Sequence, residues 1–519
     1  MANKSVFATY VGKWIGRTDT VNRAGARAYA FTPEQALAQL AATGTFNATF
    51  YADARDQLDE VLKLAWKVER DFLARTAVYA AEKGHMKDMP ALLLAVLASM
   101  QGDEFERAFP RIVTNGKMLR NFVQVMRSGV TGRKSLGTRP KRLVETWLER
   151  ADDSAILRAA VGNDPSLADV IRMVHPKPET ASRQALYGYL IGRPHDYAAL
   201  PEAVKAFEAF KRDPSLPMPD VPFQMLTALP LTREHWVGIA RTAGWQMLRQ
   251  NLNTFARHGV FAVKGFAETL AARLADENAV RRARVFPYQL MVAFDHADAA
   301  VPRIVRDALQ DAMEIALANV PRIAGNVVVC PDVSGSMGSP VTGFRKGATS
   351  AVRCIDVAAL VAAALLRRNP SARVLPFEGE VVDIRLNARD TVMTNAAKLA
   401  AIGGGATNCS APLARLVKER AKVDLVVFVS DNQSWVDARS HAHDGTAMMH
   451  EWAKLKVRNP DAKLVCIDIQ PYAQTQAKAG GDVLNIGGFS DRVFDVIASF
   501  TAAGADPDHW VRMIDAIEL

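Results

Sequence analysis

A chain of 519 residues, 49% of them hydrophobic, is long enough for two or three domains with real cores, which excludes a wholly disordered protein. The net charge of +9 is uneven, because residues 326–519 hold 21 basic and 21 acidic side chains and the whole excess lies in residues 1–325. A basic half beside a neutral half indicates that the first half meets polyanions and that the second has another task.

The beginning of the chain, MANKSVFATYVGKWIGRTDT, contains no apolar core of signal-peptide length. The longest apolar run, VAALVAAALL at 357–366, is too short to cross a bilayer. We therefore expect a cytoplasmic protein that does not associate with membranes. The four cysteines show no CxxC spacing, and we interpret them as buried small apolar side chains.

Residues 30 to about 320 contain segment after segment with the pattern of an amphipathic helix. Apolar side chains recur every three or four positions, Thr, Asp or Pro stands at the starts, and Gly often follows the ends. Two of the longer predicted helical segments are 53–84 and 232–259. Many amphipathic helices joined by tight turns predict an α-solenoid of stacked helix pairs.

At Asn326 the pattern changes to apolar strands that alternate with helices. The strand segments are NVVVCPDVSGSM, ARVLPFEGEVV, DLVVFVSDNQ, KLVCIDI and DVLNIGGFSD. Strands of this kind predict a parallel sheet covered by helices on both faces. The sequence thus predicts a helical domain over residues 1–325 and an α/β domain over residues 326–519.

The motif VVVCPDVSGSMG places Asp332, Ser334 and Ser336 directly after the first predicted strand. Ligands of open α/β sheets collect at the carboxyl ends of strands, where Thr407 in GGGATN and Asp431 in VVFVSDN can join them. Such hard oxygen ligands suit a divalent metal ion, Mg²⁺ or Mn²⁺. The alternative is a polar turn whose side chains only cap the next helix.

Nine basic residues and no acidic ones lie between Arg111 and Val144. A glycine-punctuated basic loop, VTGRKSLGTRPKR, can follow a phosphate backbone, whereas the alternative is a solvated face. Two later segments, MVHPKPETASRQ and the predicted helix at 232–259, add further basic side chains. The candidate RNA contacts are Lys117, Arg120, Arg127, Arg133, Lys134, Arg139, Lys141, Arg142, His175, Lys177, Arg183, Arg249 and Arg257.

The order of strand, DxSxS, a later Thr and a later Asp resembles the von Willebrand A family and its metal-ion-dependent adhesion site. The resemblance implies that Asp332, Ser334, Ser336, Thr407 and Asp431 bind the metal. The segment GGGATN is looser than the family's usual Gly-Gly-Thr turn, which makes Thr407 the least typical ligand. In such relatives a partner's Asp or Glu completes the metal's coordination, so the site is expected to dock a partner rather than to catalyse.

A helical domain with an HPKP segment and a GRK...PKR loop, followed by an A domain, resembles the TROVE family, which includes the Ro autoantigen and its bacterial orthologues. The resemblance implies a ring of HEAT-like helical repeats closed by a Rossmann-like von Willebrand A domain. It also implies small noncoding Y RNA on the outer basic surface and single-stranded 3′ ends of misfolded RNA in the central hole. Bacterial members resemble adaptors for a 3′ to 5′ exoribonuclease such as polynucleotide phosphorylase.

The leading hypothesis is therefore a non-enzymatic RNA-binding scaffold for RNA quality control under stress. One alternative is a metal-dependent protein-docking subunit that works with an AAA+ ATPase, although such a subunit needs no basic helical half. An extracellular adhesion protein fits poorly with unpaired cysteines. Metal-assisted RNA hydrolysis requires carboxylate-rich two-metal chemistry that the sequence does not offer.

Overall fold

A computed structural model describes residues 15–43, 46–283, 285, 287–317, 320–344, 352–435, 445–488, 492–503 and 508–519. The chain divides into two compact units. The sheet unit comprises residues 1–68, 271–297 and 303–516, and the helical unit comprises residues 69–270, 298–302 and 517–519. No helix among the described residues combines the length and apolar character needed to span a membrane.

Short strands near the start of the chain precede the strands of the main sheet. The strands are β1 (Thr20–Val21), β2 (Arg27–Ala30), β3 (Val327–Pro331), β4 (Arg373–Val374), β5 (Leu425–Ser430), β6 (Lys463–Asp468), β7 (Gln474–Thr475) and β8 (Val483–Gly487). Five of them form a parallel sheet in the order β4-β3-β5-β6-β8, and β1-β2-β7 form a small antiparallel sheet. Every residue of β3, β5 and β8 is buried, as predicted for a sheet covered on both faces.

Helices account for most of the remaining described residues. They are α1 (Pro33–Thr43), α2 (Ala54–Ala65), α3 (Arg70–Glu82), α4 (Asp88–Ala98), α5 (Glu104–Ile112), α6 (Gly116–Ser128), α7 (Thr138–Arg150), α8 (Asp153–Ala160), α9 (Leu167–Val174), α10 (Ala181–Ile191), α11 (Glu202–Arg212), α12 (Phe223–Leu226), α13 (Arg233–Thr242), α14 (Trp245–Gln250), α15 (Leu252–Arg257), α16 (Phe266–Leu274), α17 (Glu277–Ala283), α18 (Pro287–Asp295), α19 (Arg303–Ala316), α20 (Cys354–Arg368), α21 (Val392–Ala400), α22 (Ala411–Lys418), α23 (Ala447–Arg458), α24 (Arg492–Ala503) and α25 (His509–Asp515).

Helices of the helical unit pack on near neighbours in the chain. Helix α3 packs on α4 and α5, α4 packs on α6, and α6 packs on α8 and α9. Phe105, Phe109 and Phe122 form an aromatic cluster with ring centroids 5.4 to 5.9 Å apart. This sequential packing confirms the predicted class, helical repeats followed by an α/β domain, while closure of the helices into a ring stays a prediction.

The apolar run at 357–366 lies within α20, which packs on α21 and on strands β3 and β5. Because α20 has neighbours on several sides, residues 357–366 are all buried. All four cysteines are buried and free, as predicted from their spacing.

The predicted helical segment 53–84 is two helices rather than one. Asp53 caps α2 in a capping box with Asp56, and Trp66 follows the last residue of the helix and donates its amide to the Leu62 carbonyl. Helix α2 packs on α1, whereas α3 packs on α4 and α5, so the two apolar faces cover different cores. The chain therefore breaks between them, where the two compact units also divide.

The compact units do not coincide with the predicted division at 325 and 326. That point marks the change from helices to the strands of the main sheet, but the sheet unit also includes residues up to Val68, residues 271–297 and residues 303–325. Strand β2 pairs with β7, with Tyr29 opposite Thr475, and α1 packs on β8. Strands as short as β1 and β2 carry too little alternation to be found in the sequence.

Candidate metal site and basic surface

Two buried carboxylates lie at the carboxyl ends of adjacent parallel strands. Asp332 follows β3 and is 0% exposed, and Asp431 follows β5 and is 1% exposed. Strands β3 and β5 pair in register, and the Asp332 amide donates to the Val429 carbonyl at 2.9 Å. The sheet topology therefore brings together two carboxylates that are 99 residues apart in the sequence.

Three buried hydroxyl groups lie beside these carboxylates. The Thr407 hydroxyl donates to Oγ of Ser334 at 2.9 Å, and the hydroxyls of Ser334 and Ser336 are 3.3 Å apart. Ser336 hydrogen bonds to the carboxylate of Asp431. The Ser334 amide donates to Oδ1 of Asp332 at 2.9 Å. All five predicted metal ligands thus lie in one connected cluster.

The unusual GGGATN loop still places Thr407 in this cluster. Gly403, Gly404 and Gly405 all have positive φ, at 33°, 134° and 72°, which favours glycine at each position. The Gly405 carbonyl accepts a 3.1 Å hydrogen bond from the Gly335 amide of the DxSxS loop. The run of glycines therefore lets one loop contact the other despite its departure from the family pattern.

The electrostatics of the pair favour a bound cation. Burial raises the pKa of Asp332, and burial together with the charge of Asp332 raises the pKa of Asp431 to about 7. Two neighbouring carboxylates out of water repel each other, and a divalent cation would offset that repulsion. Carboxylate and hydroxyl oxygens are the donors that Mg²⁺ and Mn²⁺ prefer, so the residues present fit such an ion.

No group of three or more His, Cys, Asp or Glu side chains among the described residues is placed to hold a metal. A cation at Asp332 and Asp431 would therefore depend on hydroxyl and water oxygens for its other ligands. Such a site differs from carboxylate-rich two-metal centres.

Sequence patterns missed three aromatic residues at this cluster. The Tyr51 hydroxyl hydrogen bonds to Ser336, and burial and then the charge of Asp431 raise the Tyr51 pKa. Phe50 packs edge-on against Tyr51 at 4.8 Å and is 56% exposed. Trp435 is 40% exposed, and its amide donates to the Thr407 carbonyl at 3.4 Å. Tyr51 and Phe50 lie far from the motif in the chain, so no local signal pointed to them.

A basic cavity of about 850 Å³ lies in the helical unit, between the α6–α7 connection and α9. Its basic lining side chains are Arg127, Lys134, Lys141 and Arg172. Its one acidic lining residue is Asp169, whose pKa lies below its ordinary value because Ser166 hydrogen bonds to the carboxylate. Arg172 pairs with Asp169 at 3.5 Å and donates to the Ile191 carbonyl, and Lys141 pairs with Glu145 at 3.7 Å, so Arg127 and Lys134 leave the cavity positive. Arg172 was not among the predicted contacts, although it lies three residues before His175.

Several predicted RNA contacts instead bind other parts of the protein. Arg139 donates to both carboxylate oxygens of Glu106, at 2.7 and 2.6 Å, and to backbone carbonyls. Arg120, Arg133 and Arg183 also donate to backbone carbonyls. These four guanidinium groups connect neighbouring helices and loops, so their basic character does not by itself make them available to a ligand.

The other predicted contacts differ in exposure. Those exposed to solvent are Lys117, Arg142, His175, Lys177 and Arg257. Arg249 is only 9% exposed and donates to Gln246. The predicted helix at 232–259 is divided into α13, α14 and α15, so Arg249 and Arg257 do not share one continuous helical ridge. The break follows from Asn251, whose side chain donates to the Met247 carbonyl at 2.8 Å.

Both parts of the chain contain segments that match known protein domains. The Ro60 vWA domain matches residues 326–501, and the TROVE domain matches residues 238–361. A Deinococcus radiodurans protein named RNA-binding protein RO60 is 25% identical over 521 residues, covering 92% of this chain and 94% of the relative. A Caenorhabditis elegans protein of the same name is 22% identical over 246 residues, covering 45% of this chain and 36% of the relative.

The fold also matches a solved structure. The crystal structure of the Deinococcus radiodurans RO (RSR) protein gives a TM-score of 0.61 at 22% identity, covering 91% of this chain and 99% of that chain. At this identity the match shows the fold. Both family descriptions match in the predicted order, with the TROVE domain before the Ro60 vWA domain, so the chain is similar to proteins that combine the two.

Proposed function

We propose that this protein is a non-enzymatic RNA-binding scaffold and that the basic cavity of the helical unit binds the RNA backbone. The observation that carries the proposal is the convergence of Arg127, Lys134, Lys141 and Arg172 on one cavity. Neutralising phosphates with such side chains releases counterions and supplies most of the sequence-independent affinity for nucleic acid. The relatives named RNA-binding protein RO60 support the same assignment.

The start of helix α7 adds to the positive potential of the cavity. Gly137 and Thr138 line the cavity, and the first turn of α7 contains no acidic side chain. Unpaired amides at a helix N-terminus favour an anion, so phosphate oxygens and basic side chains complement each other here. A duplex or a folded RNA presents several phosphates at once, which suits a cavity of this size better than a single small anion.

The RNA class follows from the family resemblance. We propose small noncoding Y RNA and misfolded RNA with single-stranded 3′ ends as ligands, and a 3′ to 5′ exoribonuclease such as polynucleotide phosphorylase as a partner. RNA quality control under stress in the cytoplasm is the proposed setting. The scaffold would hold RNA for the nuclease rather than cleave it.

A salt titration tests the proposal directly. The purified chain is mixed with a structured small RNA, with and without a single-stranded 3′ tail, and binding and cleavage are both measured from about 0.05 to 0.2 M salt. We expect tight, strongly salt-dependent binding and intact RNA. Binding no stronger than that of a neutral control protein would contradict the scaffold, and cleavage would contradict its non-enzymatic character.

We further propose that Asp332, Ser334, Ser336, Thr407 and Asp431 bind Mg²⁺ or Mn²⁺ and that a partner's carboxylate completes the coordination. The exposed aromatic side chains of Phe50 and Trp435 beside the cluster favour a docking surface for another protein. The bound cation would supply a positive centre for that carboxylate. Isothermal titration with MgCl2 and MnCl2 tests the site, and a chain that binds neither cation would contradict it.

A further inference from the structure

The loop that follows Asp431 is buried and holds an unusual backbone conformation. Asp431, Asn432, Gln433 and Ser434 are 1%, 4%, 0% and 1% exposed. Asn432 has a φ of 58°, in the left-handed region that few residues other than Gly and Asn adopt. A buried loop in this conformation needs contacts that hold it, because neither the strand nor a helix continues through it.

Asn432 connects the two carboxylates of the cluster. Its amide donates to Oγ of Ser430 at 2.9 Å, and that hydroxyl donates to Oδ2 of Asp332 at 2.6 Å. Asn432 thus contacts one proposed ligand through Ser430, while it is joined directly to the other, Asp431. A shift of Asn432 would move both carboxylates.

The side chain of Asn432 is fixed from two further strands. Its Nδ2 donates to Oγ1 of Thr475 in β7 at 2.9 Å and to Oδ2 of Asp468 at the end of β6 at 3.2 Å. The Thr475 hydroxyl in turn donates to Oδ1 of Asn485 in β8 at 2.9 Å. The conformation after Asp431 is therefore set by contacts outside its own loop.

The N-terminal hairpin, residues 20–30, holds the next residues of the same loop. Nδ2 of Asn22 donates to the Ser434 carbonyl at 2.7 Å, and the Arg23 amide donates to Oε1 of Gln433 at 2.8 Å. Oδ1 of Asn22 accepts from the amides of Ala24 and Ala26, at 3.0 and 2.8 Å, so the turn itself is ordered. Asn22 is only 4% exposed, although it lies in a turn.

The small antiparallel sheet gives this hairpin a second contact with the residues that hold Asn432. Tyr29 of β2 lies opposite Thr475 of β7, the residue that accepts the hydrogen bond from Asn432. The hairpin therefore contacts the loop after Asp431 directly through Asn22 and Arg23, and indirectly through β7.

We propose that Asn432 and Asn22 are positioning residues that hold the carboxylate of Asp431 for a divalent cation, so that the N-terminal hairpin is a working part of the metal site. The inference rests on the proposed cation binding. Outer partners that orient metal ligands typically change metal affinity by about 10- to 100-fold when they are removed. The hairpin lies some 400 residues before the ligand it positions, which explains why the motif alone does not include it.

The first test replaces Asn432 without disturbing the backbone. Asn432→Gly keeps the left-handed conformation and removes only the side-chain contacts. Arg420→Gly is the matched control, because Arg420 has a φ of 55°, is exposed, and lies before β5 at the opposite end of that strand from Asp431. Titration of the full chain with MnCl2 is expected to show binding about 10-fold weaker for Asn432→Gly and unchanged for Arg420→Gly.

The second test removes one hydrogen bond from the hairpin. Asn22→Asp keeps the oxygen that accepts from Ala24 and Ala26 but loses the donor to Ser434. Electrostatics alone would make an added carboxylate strengthen Mn²⁺ binding, whereas loss of positioning is expected to weaken it several-fold. Thermal unfolding without metal checks that each variant is folded. If Asn432→Gly does not fold, the Mn²⁺ affinity of Asn22→Asp alone tests the positioning role.

The outcomes separate the inference from the function on which it rests. Wild-type protein that binds Mn²⁺ while both folded variants bind it equally well would overturn the positioning role and leave the cation site standing. Wild-type protein that binds no Mn²⁺ would overturn both. Weaker binding in both Asn variants with normal binding in Arg420→Gly supports the inference.

Discussion

The hydroxyl of Ser430 donates a 2.6 Å hydrogen bond to Oδ2 of Asp332, so the strand that ends beside one proposed metal ligand also orients the other. Ser430 is the last residue of β5, directly before Asp431, and it is 4% exposed. A hydrogen bond to an ionised carboxylate is roughly twice as strong as one between neutral groups, and this one is buried. It lowers the pKa of Asp332 against the larger effect of burial, which raises that pKa.

Ser430→Ala is expected to weaken cation binding about 10-fold, because Asp332 loses the donor that orients it and favours its charged form. Titration with MgCl2 and MnCl2 gives the change in dissociation constant. Ser430→Thr keeps the hydroxyl and suits a strand, so it should restore most of the affinity. Equal affinity in Ser430→Ala and the wild type would contradict the role assigned to this hydrogen bond.

Asp332→Ala is expected to abolish cation binding and to leave RNA affinity unchanged, since Asp332 and the basic cavity belong to different compact units. Cation titration and RNA binding are measured on the same preparation. The variant should unfold at a similar or higher temperature without metal, because it removes a buried charge that repels Asp431. Loss of cation and RNA binding together would mean that the two activities are coupled.

The sequence predicted which side chains come together around Asp332 and Asp431 better than which basic side chains face solvent, and the reason is physical. The order of parallel strands fixes where their carboxyl ends meet, so a motif after β3 and another after β5 had to converge. No comparable rule fixes which way a basic side chain on a helix or loop points. Arg139 and Arg183 are basic side chains like Lys134, but only the folded chain shows that their guanidinium groups reach the carbonyls of Met100 and Leu148.

The sequence patterns also missed residues that lie far from the motif in the chain. Tyr51 and Asn22 reach the proposed metal site through the small antiparallel sheet and the α1–α2 region, whose short strands and ordinary turn residues give no pattern of their own. Their contribution depends on tertiary contacts with a loop that begins at residue 431. Sequence periodicity reports which face of an element is buried but not which distant segment buries it.

Arg127→Glu combined with Lys134→Glu is expected to weaken RNA binding by about 10- to 100-fold near 0.1 M salt and to reduce the salt dependence, since fewer phosphates are neutralised. Both side chains are exposed and line the basic cavity. Lys205→Glu combined with Lys264→Glu makes the same change of charge in the helical unit, outside the cavity lining. If both double variants lose affinity equally, net charge rather than this cavity governs binding.

Arg139→Met is expected to reduce stability rather than RNA affinity, because Arg139 binds both carboxylate oxygens of Glu106 and the carbonyls of Met100 and Gly102. The loss should be about 1–2 kcal/mol, allowing for the partial exposure of the pair. Urea denaturation at pH 7 measures the change in the free energy of unfolding. RNA affinity of the folded variant should stay within about threefold of the wild type, well short of the change expected for the cavity variant.

The same pair predicts how this stability depends on pH. The hydrogen bond from Arg139 lowers the pKa of Glu106, so the pair stabilises the fold above the ordinary pKa of a glutamate, about 4.3, and its contribution is lost as the pH falls through the lowered value. The difference in unfolding free energy between wild type and Arg139→Met should therefore be full at pH 7 and shrink below about pH 4. A difference that persists unchanged at pH 3 would show that Arg139 stabilises the fold through its carbonyl contacts and its packing on Phe105, with no measurable share from the carboxylate of Glu106.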